Sequence, residues 1–182
     1  MNGIFIVAEL TGTVRERVYE IQRRFDPKLS RGTPPHITVA GSSGVGPLPL
    51  DTPVERIREV LTPILANIAP ITVPFERPHR YMTTDIVVLP VSPHGPIRAM
   101  HEAIAASGLI FERSRHQFSP HCTMSFYKTL TPAAERRLMA VRIDEPAYFD
   151  RLQFYLSVDL VESRKVLEME LGARNQEPGV RS

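Results

Sequence analysis

One tetrapeptide pattern occurs twice in this chain of 182 residues, as Pro35-His36-Ile37-Thr38 and as Pro120-His121-Cys122-Thr123. Each copy opens a short apolar run with strand character. Side chains alternate across a strand, so the histidine and threonine of each copy, two residues apart, point to one face. Ile37, Val39, Cys122 and Met124 then point to the other face, and all are apolar enough for a core. Any fold for this chain must therefore bury one face of both strands. The open face is left with His36, Thr38, His121 and Thr123, and with Ser125 one step further along, all turned toward a common groove.

The rest of the chain supplies matching surroundings for the two copies. Ile4 to Leu10 reads as a largely buried strand. Thr13 with Glu16 forms a capping box, followed by Val14, Val18, Ile21 and Phe25 at helical spacing. Pro34-Pro35 forces an extended entry into the strand His36 to Ala40. Thr52-Pro53 with Glu55 starts a second helix, in which Pro63 should cause a kink or split. Ile71 to Phe75 and Asp85 to Val91 read as strands. Between them, the segment Glu76 to Tyr81 is a basic, aromatic turn or strand end. Ile97, Met100 and Ile104 mark a third helix closed by Gly108, and Thr131-Pro132 opens a fourth. The second motif strand runs from His121 to Tyr127. Two clean alternations, around Leu152 to Leu160 and Leu167 to Leu171, are joined by Glu162-Ser163-Arg164 as a closing hairpin. The order is strand, helix, strand, helix, strand, and then the same again with one extra strand. This implies one domain over 1–172, duplicated internally at roughly 1–80 and 81–172, with a polar tail at 173–182.

Composition narrows the function. The formal net charge is only +2, too little for a chain that coats nucleic acid electrostatically. Nearly all the positive charge is arginine, with lysine only at Lys28, Lys128 and Lys165. The lone cysteine, Cys122, excludes an internal disulfide and a cysteine-based zinc cluster, and fits a reducing compartment. The N-terminal apolar run lacks a basic leader and is interrupted by Glu9, so it reads as a strand and not as a signal peptide. No segment approaches a membrane span. The expectation is a cytoplasmic protein with no obligatory protein partner.

Two histidines facing one groove suit phosphoester hydrolysis. One takes a proton from the attacking water and the other gives one to the leaving oxygen. An imidazole titrating near pH ~6.5 makes both states available around neutrality. The threonine hydroxyls can stabilise charge on the phosphoryl oxygens, leaving no task that requires a metal or cofactor. A zinc site is the rival use of these residues, but no Asp, Glu or Cys stands at a suggestive spacing. A non-catalytic RNA-binding module is the rival class, and it would not need two proton-transfer groups. For substrate contacts the candidates are Ser125, Tyr127, Tyr81, Arg80 and His116. Tyr81 and Tyr127 could stack on a base or pack as ordinary half-buried rings. His116 could line the groove or sit in a solvated loop. His101 reads as a solvated or packing residue, His94 as part of a turn, and Cys122 as a core residue and not a nucleophile.

The paired motifs resemble those of the two-histidine phosphoesterase superfamily, which includes the 2′-5′ RNA ligase or RNA 2′,3′-cyclic phosphodiesterase proteins. The short bacterial YjcG-like branch is similar in Phe25-Asp26-Pro27 ahead of Pro34-Pro35-His36, and in the closing run Arg151-Leu152-Gln153-Phe154. The resemblance extends to about Gly172. It implies a bilobal α+β fold with two pseudo-symmetric lobes, whose antiparallel sheets form a central groove flanked by helices. It assigns His36, Thr38, His121 and Thr123 to catalysis, with His121 as base and His36 as acid, and the near-symmetric motifs admit the reverse order. The implied substrate is an RNA end or small cyclic nucleotide carrying a 2′,3′-cyclic phosphate. Cleavage or ligation of 2′-5′ linkages is the alternative. Ligase-like members often carry an arginine soon after the second motif, where this chain has Ser125-Phe126-Tyr127.

Overall fold

In the computed structural model, residues 2–81, 84–126, 130–158 and 162–172 are described. The chain runs β1 (Gly3–Glu9), α1 (Gly12–Phe25), β2 (His36–Ala40), α2 (Val54–Leu65) and β3 (Ile71–Val73). It continues with β4 (His79–Arg80), β5 (Val87–Pro90), α3 (Pro96–Ala105), β6 (His121–Ser125), α4 (Pro132–Met139), β7 (Ala147–Phe149), β8 (Arg151–Val158) and β9 (Glu162–Glu170). The fold is α+β. A seven-stranded sheet has the order β4-β5-β6-β2-β1-β8-β9, and β3 pairs with β7 in a separate two-stranded sheet. The pairings are antiparallel.

Helices and strands share one core. Ile4, Ile6, Ile37, Val39, Cys122, Met124, Leu152 and Phe154 pack with Val14, Val18, Ile57, Leu61, Ile97, Met100 and Leu138. Burying each large aliphatic side chain of this kind contributes about 1.5–3 kcal/mol. Helix α1 lies against β6, and α3 lies against β2. Each motif strand is thus covered by the helix that precedes the other one.

The expected pair of separate sheets is one continuous sheet. The strands of both halves are stitched together where β2 pairs with β6 at Ile37 and Cys122. The groove face is accordingly one face of a single sheet. Local readings are corrected as well. Helix α1 starts before the anticipated capping box, with Thr11 at the N-cap, and the Thr11 hydroxyl donates to the Tyr148 carbonyl and not back to the helix. Pro63 does not split α2, because it falls in the last turn, where only one helical hydrogen bond is forfeited. Glu162 to Arg164 are strand residues, with Val158 opposite Glu162 and Ser157 opposite Ser163. The three-residue β7, too short to show a period, pairs Ala147, Tyr148 and Phe149 with Val73, Thr72 and Ile71. Strand β6 ends at Ser125, Phe126 is not part of it, and Tyr127, the expected end, lies outside the described residues, as does the tail at 173–182.

Candidate active site at the junction of the motif strands

The four motif side chains meet because β2 and β6 are neighbours. Ile37 stands opposite Cys122, and both are fully buried on the helix side. Moving one residue either way sets His36 opposite Thr123 and Thr38 opposite His121 on the other face. Each histidine therefore faces the other copy's threonine, and the histidines are diagonal neighbours. Such positions lie about 7–8 Å apart at Cα, with room for a group held between their side chains. The burial pattern is the same in both strands, with half-buried histidine and threonine alternating with buried residues.

The matching extends to a backbone irregularity. On β2, Thr38 opposes Val7 and Ala40 opposes Ile6, leaving Val39 as an extra residue. On β6, Thr123 opposes Val88 and Ser125 opposes Val87, leaving Met124 as an extra residue. Each strand thus carries a β-bulge directly after its threonine, a device that re-aims side chains beside many functional sites. The carbonyls at the bulges are taken up by buried polar side chains from the helices. Gln22 of α1 donates from Nε2 to the Thr123 carbonyl at 2.8 Å. His101 of α3 donates from Nδ1 to the Val39 carbonyl at 2.7 Å. His101 is buried and stacked on Phe118 with 3.9 Å between ring centroids, so it is a packing residue. Burial lowers its pKa.

The bulge decides the position of Ser125. Unbroken alternation would set it on the groove face. The extra residue turns it to the core face opposite Val87, where it is fully buried.

Both motif histidines are held in the same way. His36 Nδ1 lies 2.7 Å from the Pro34 carbonyl, and His121 Nδ1 lies 2.7 Å from the Ser119 carbonyl. A carbonyl can only accept, so in each ring Nδ1 carries the hydrogen and Nε2 is the nitrogen free for proton transfer. Burial lowers both pKa values. For His36 the Pro34 carbonyl and the negative charge of Glu9 work against this, while the neighbouring His121 adds to it. For His121 the opposing influence is the Ser119 carbonyl.

Beyond the shared frame the two histidines have different neighbours. Opposite His36 on β1 stands Glu9, and at the matching place opposite His121 on β5 stands Pro90. Glu9 accepts from the Tyr155 hydroxyl at 2.7 Å and lies 3.7 Å from the Lys165 ammonium. Gln153 accepts from the Glu9 backbone and donates to Glu168, which also pairs with Lys165 and Arg151. Around His121 the setting is aromatic. The Tyr81 hydroxyl lies 3.2 Å from Nδ1, and Tyr81 meets His121 and His79 edge to face, each at 5.7 Å between centroids.

The other sequence candidates separate. Tyr81 stands at the site, packed against His121. Arg80 does not share its face. It stands opposite Val87, and its guanidinium pairs with Glu135 on α4 and with Asp85. His79, passed over in the sequence, stands opposite Val88 on the groove side. Alternation within 79–81 was the available signal, since Arg80 and Tyr81 are adjacent in an extended segment. His116 is exposed in a loop whose backbone bonds to Gly44. Tyr127 lies outside the described residues. Cys122 is buried with its thiol pKa pushed up to about 12, which leaves it unreactive. Glu9 was missed as a site residue, because a lone acid ending an apolar run reads as an interruption until strand pairing is known. Among the described residues no three His, Cys, Asp or Glu side chains are grouped as a metal site requires.

Known proteins share this fold. Escherichia coli LigT, solved in complex with 3′-AMP, aligns with a TM-score of 0.57 at 16% identity over 93% of this chain and 98% of its own. TT0787 of Thermus thermophilus aligns with a TM-score of 0.63 at 16% identity, over 94% and 98%. A structure described as a phosphoesterase gives 0.54 at 19% identity, over 93% and 98%. At these identities the likeness is one of fold. No curated protein matches in sequence. The family model described as the 2′-5′ RNA ligase superfamily matches residues 11–159, and the chain belongs to that superfamily.

Proposed function

We propose that the protein is a metal-independent phosphodiesterase that opens a 2′,3′-cyclic phosphate on an RNA end or small nucleotide. The observation that carries this reading is the antiparallel β2–β6 register, which sets two Nδ1-anchored imidazoles diagonally across from one another with a threonine opposite each. His121 Nε2 takes a proton from water as the water oxygen attacks phosphorus. The bond from phosphorus to one ribose oxygen breaks, and that oxygen takes the proton carried by His36 Nε2. The product is a phosphomonoester. Thr38 and Thr123 hydroxyls donate to the phosphoryl oxygens as charge develops.

The division of labour follows from charge. Burial lowers the pKa of both rings, and at His36 the charge of Glu9 opposes that lowering, which helps an acid hold its proton. His121 faces Pro90 and the Tyr81 ring in place of a carboxylate, which suits the neutral base. The repeated strand order, bulge and carbonyl bond support an internal duplication at roughly 1–80 and 81–172. No helix among the described residues is long and apolar enough to cross a membrane, and the buried free thiol of Cys122 suits a cytoplasmic setting.

The superfamily's description favours a second reading, cleavage or ligation of 2′-5′ linkages by the same groups. A panel of nucleoside 2′,3′-cyclic phosphates and 2′-5′ dinucleotides separates the two. Turnover of the cyclic compounds, unchanged in EDTA, is the expected result. Turnover confined to 2′-5′ dinucleotides would replace the first reading with the second. Loss in EDTA with restoration by a divalent ion would overturn the metal-free scheme.

A further inference from the structure

The groove has a cleft on each side of the histidine pair, and the two differ in chemistry. Beyond Glu9 on the His36 side is an open cleft of about 410 Å³. Its walls carry five charged side chains, Glu9, Arg15, Asp150, Arg151 and Glu168. Beyond His121 is a larger cleft of about 600 Å³. Its floor and sides include Val88, Pro90, Pro93 and Pro120 together with the rings of His79 and Tyr81, and Glu76, Arg77 and Ser119 add polar groups.

We propose that the cleft beyond His121 is the nucleobase subsite, holding the base of the nucleotide whose phosphate lies between the histidines. This rests on the cyclic-phosphate reading and adds where the base goes. A base has two apolar faces and a hydrogen-bonding edge. Its faces match proline, valine and ring surfaces, and its edge matches the guanidinium, carboxylate and hydroxyl of Arg77, Glu76 and Ser119. The charged cleft fits poorly, because an apolar ring face there would strip water from ionised groups without replacing their hydrogen bonds. The two sites are contiguous. Tyr81 lines the cleft and places its hydroxyl 3.2 Å from His121 Nδ1, and Pro120 is the residue before His121. Alternation sets His79 on the same side as Val88, so its exposed ring is available to a base without touching either motif histidine.

The test compares two substrates, a nucleoside 2′,3′-cyclic phosphate and 1-O-methylribose 2′,3′-cyclic phosphate, which lacks the base. Stacking of one base on an aromatic ring corresponds to roughly 5- to 150-fold in affinity, so the base-free compound should show a KM raised within that range. His79→Ala should raise KM several-fold for the nucleotide, leave its kcat nearly unchanged, and leave the base-free compound unaffected. Tyr148→Ala, on the charged cleft, should alter neither. If His79→Ala shifts both substrates equally or neither, or if Tyr148→Ala abolishes the preference for the base, the assignment is wrong. If folded wild-type protein turns over neither compound, the cyclic-phosphate reading fails, and calorimetry with a nucleoside 3′-monophosphate decides the subsite alone. Tighter binding than ribose 3-phosphate, lost in His79→Ala, would support it. No advantage for the base would overturn it.

Discussion

The His36 side and the His121 side of the groove share a backbone and differ in company. Both have a histidine opening a strand, Nδ1 tied to the carbonyl two residues back, a threonine two residues on, and a bulge directly after. At the facing position one side has Glu9 and the other Pro90. The common backbone explains why Nε2 is the free nitrogen of both rings. The unequal neighbours give each ring a reason to prefer one protonation state. Symmetry alone would yield two equivalent imidazoles, and hydrolysis needs two that differ.

The most severe test removes either ring. His36→Ala and His121→Ala should each lower kcat/KM by roughly 10²–10⁴, the range for one acid–base group. The double variant should lose less than the product of the two, since the groups act on one proton-transfer sequence. The comparison sharpens with a diester carrying a good leaving group, which needs no acid. That substrate should rescue His36→Ala and not His121→Ala. Rescue of the opposite variant would exchange the roles, and rescue of neither would remove the acid–base scheme.

How much of this was visible beforehand depended on whether a feature is local. The motif strands, their buried faces and the inertness of Cys122 follow from two-residue periodicity, which operates within one strand. The features that distinguish the two sides are products of pairing. Glu9 becomes a neighbour of His36 only through the β1–β2 register. Ser125 is turned inward by an extra residue that no periodicity announces. Strand β7 exists because β3 is beside it. Arg80 is the contrary case: its alternation with Tyr81 is local and legible, and it sets the guanidinium on the opposite face, against Glu135.

Next in size are the threonines. Thr38→Val and Thr123→Val remove one donor each and should lower kcat by at most about 10²–10³, with KM little changed. Each stands opposite a different histidine, so the two losses need not be equal. Losses that appear in KM with kcat intact would make the hydroxyls ground-state binding groups and not stabilisers of developing charge.

The smallest expected effect bears most directly on the difference between the two sides. In Glu9→Gln the side chain keeps its size and still accepts from Tyr155, but the charge beside His36 is gone. That charge favours the protonated ring, so its removal lowers the His36 pKa further. If His36 is the acid and keeps the higher pKa of the two rings, its titration forms the alkaline limb of the kcat/KM profile. The base His121 must be unprotonated and forms the acidic limb. With both pKa values already lowered by burial, the wild-type maximum should lie below about pH 6.5. Glu9→Gln should then move the alkaline limb to lower pH and narrow the bell, leaving the acidic limb in place and the rate at the maximum within several-fold. If the acidic limb moves instead, His36 is the ring with the lower pKa, and the leaving-group rescue decides which ring is the acid. If neither limb moves, Glu9 only packs against its neighbours, and the asymmetry must come from the Tyr81 ring against His121.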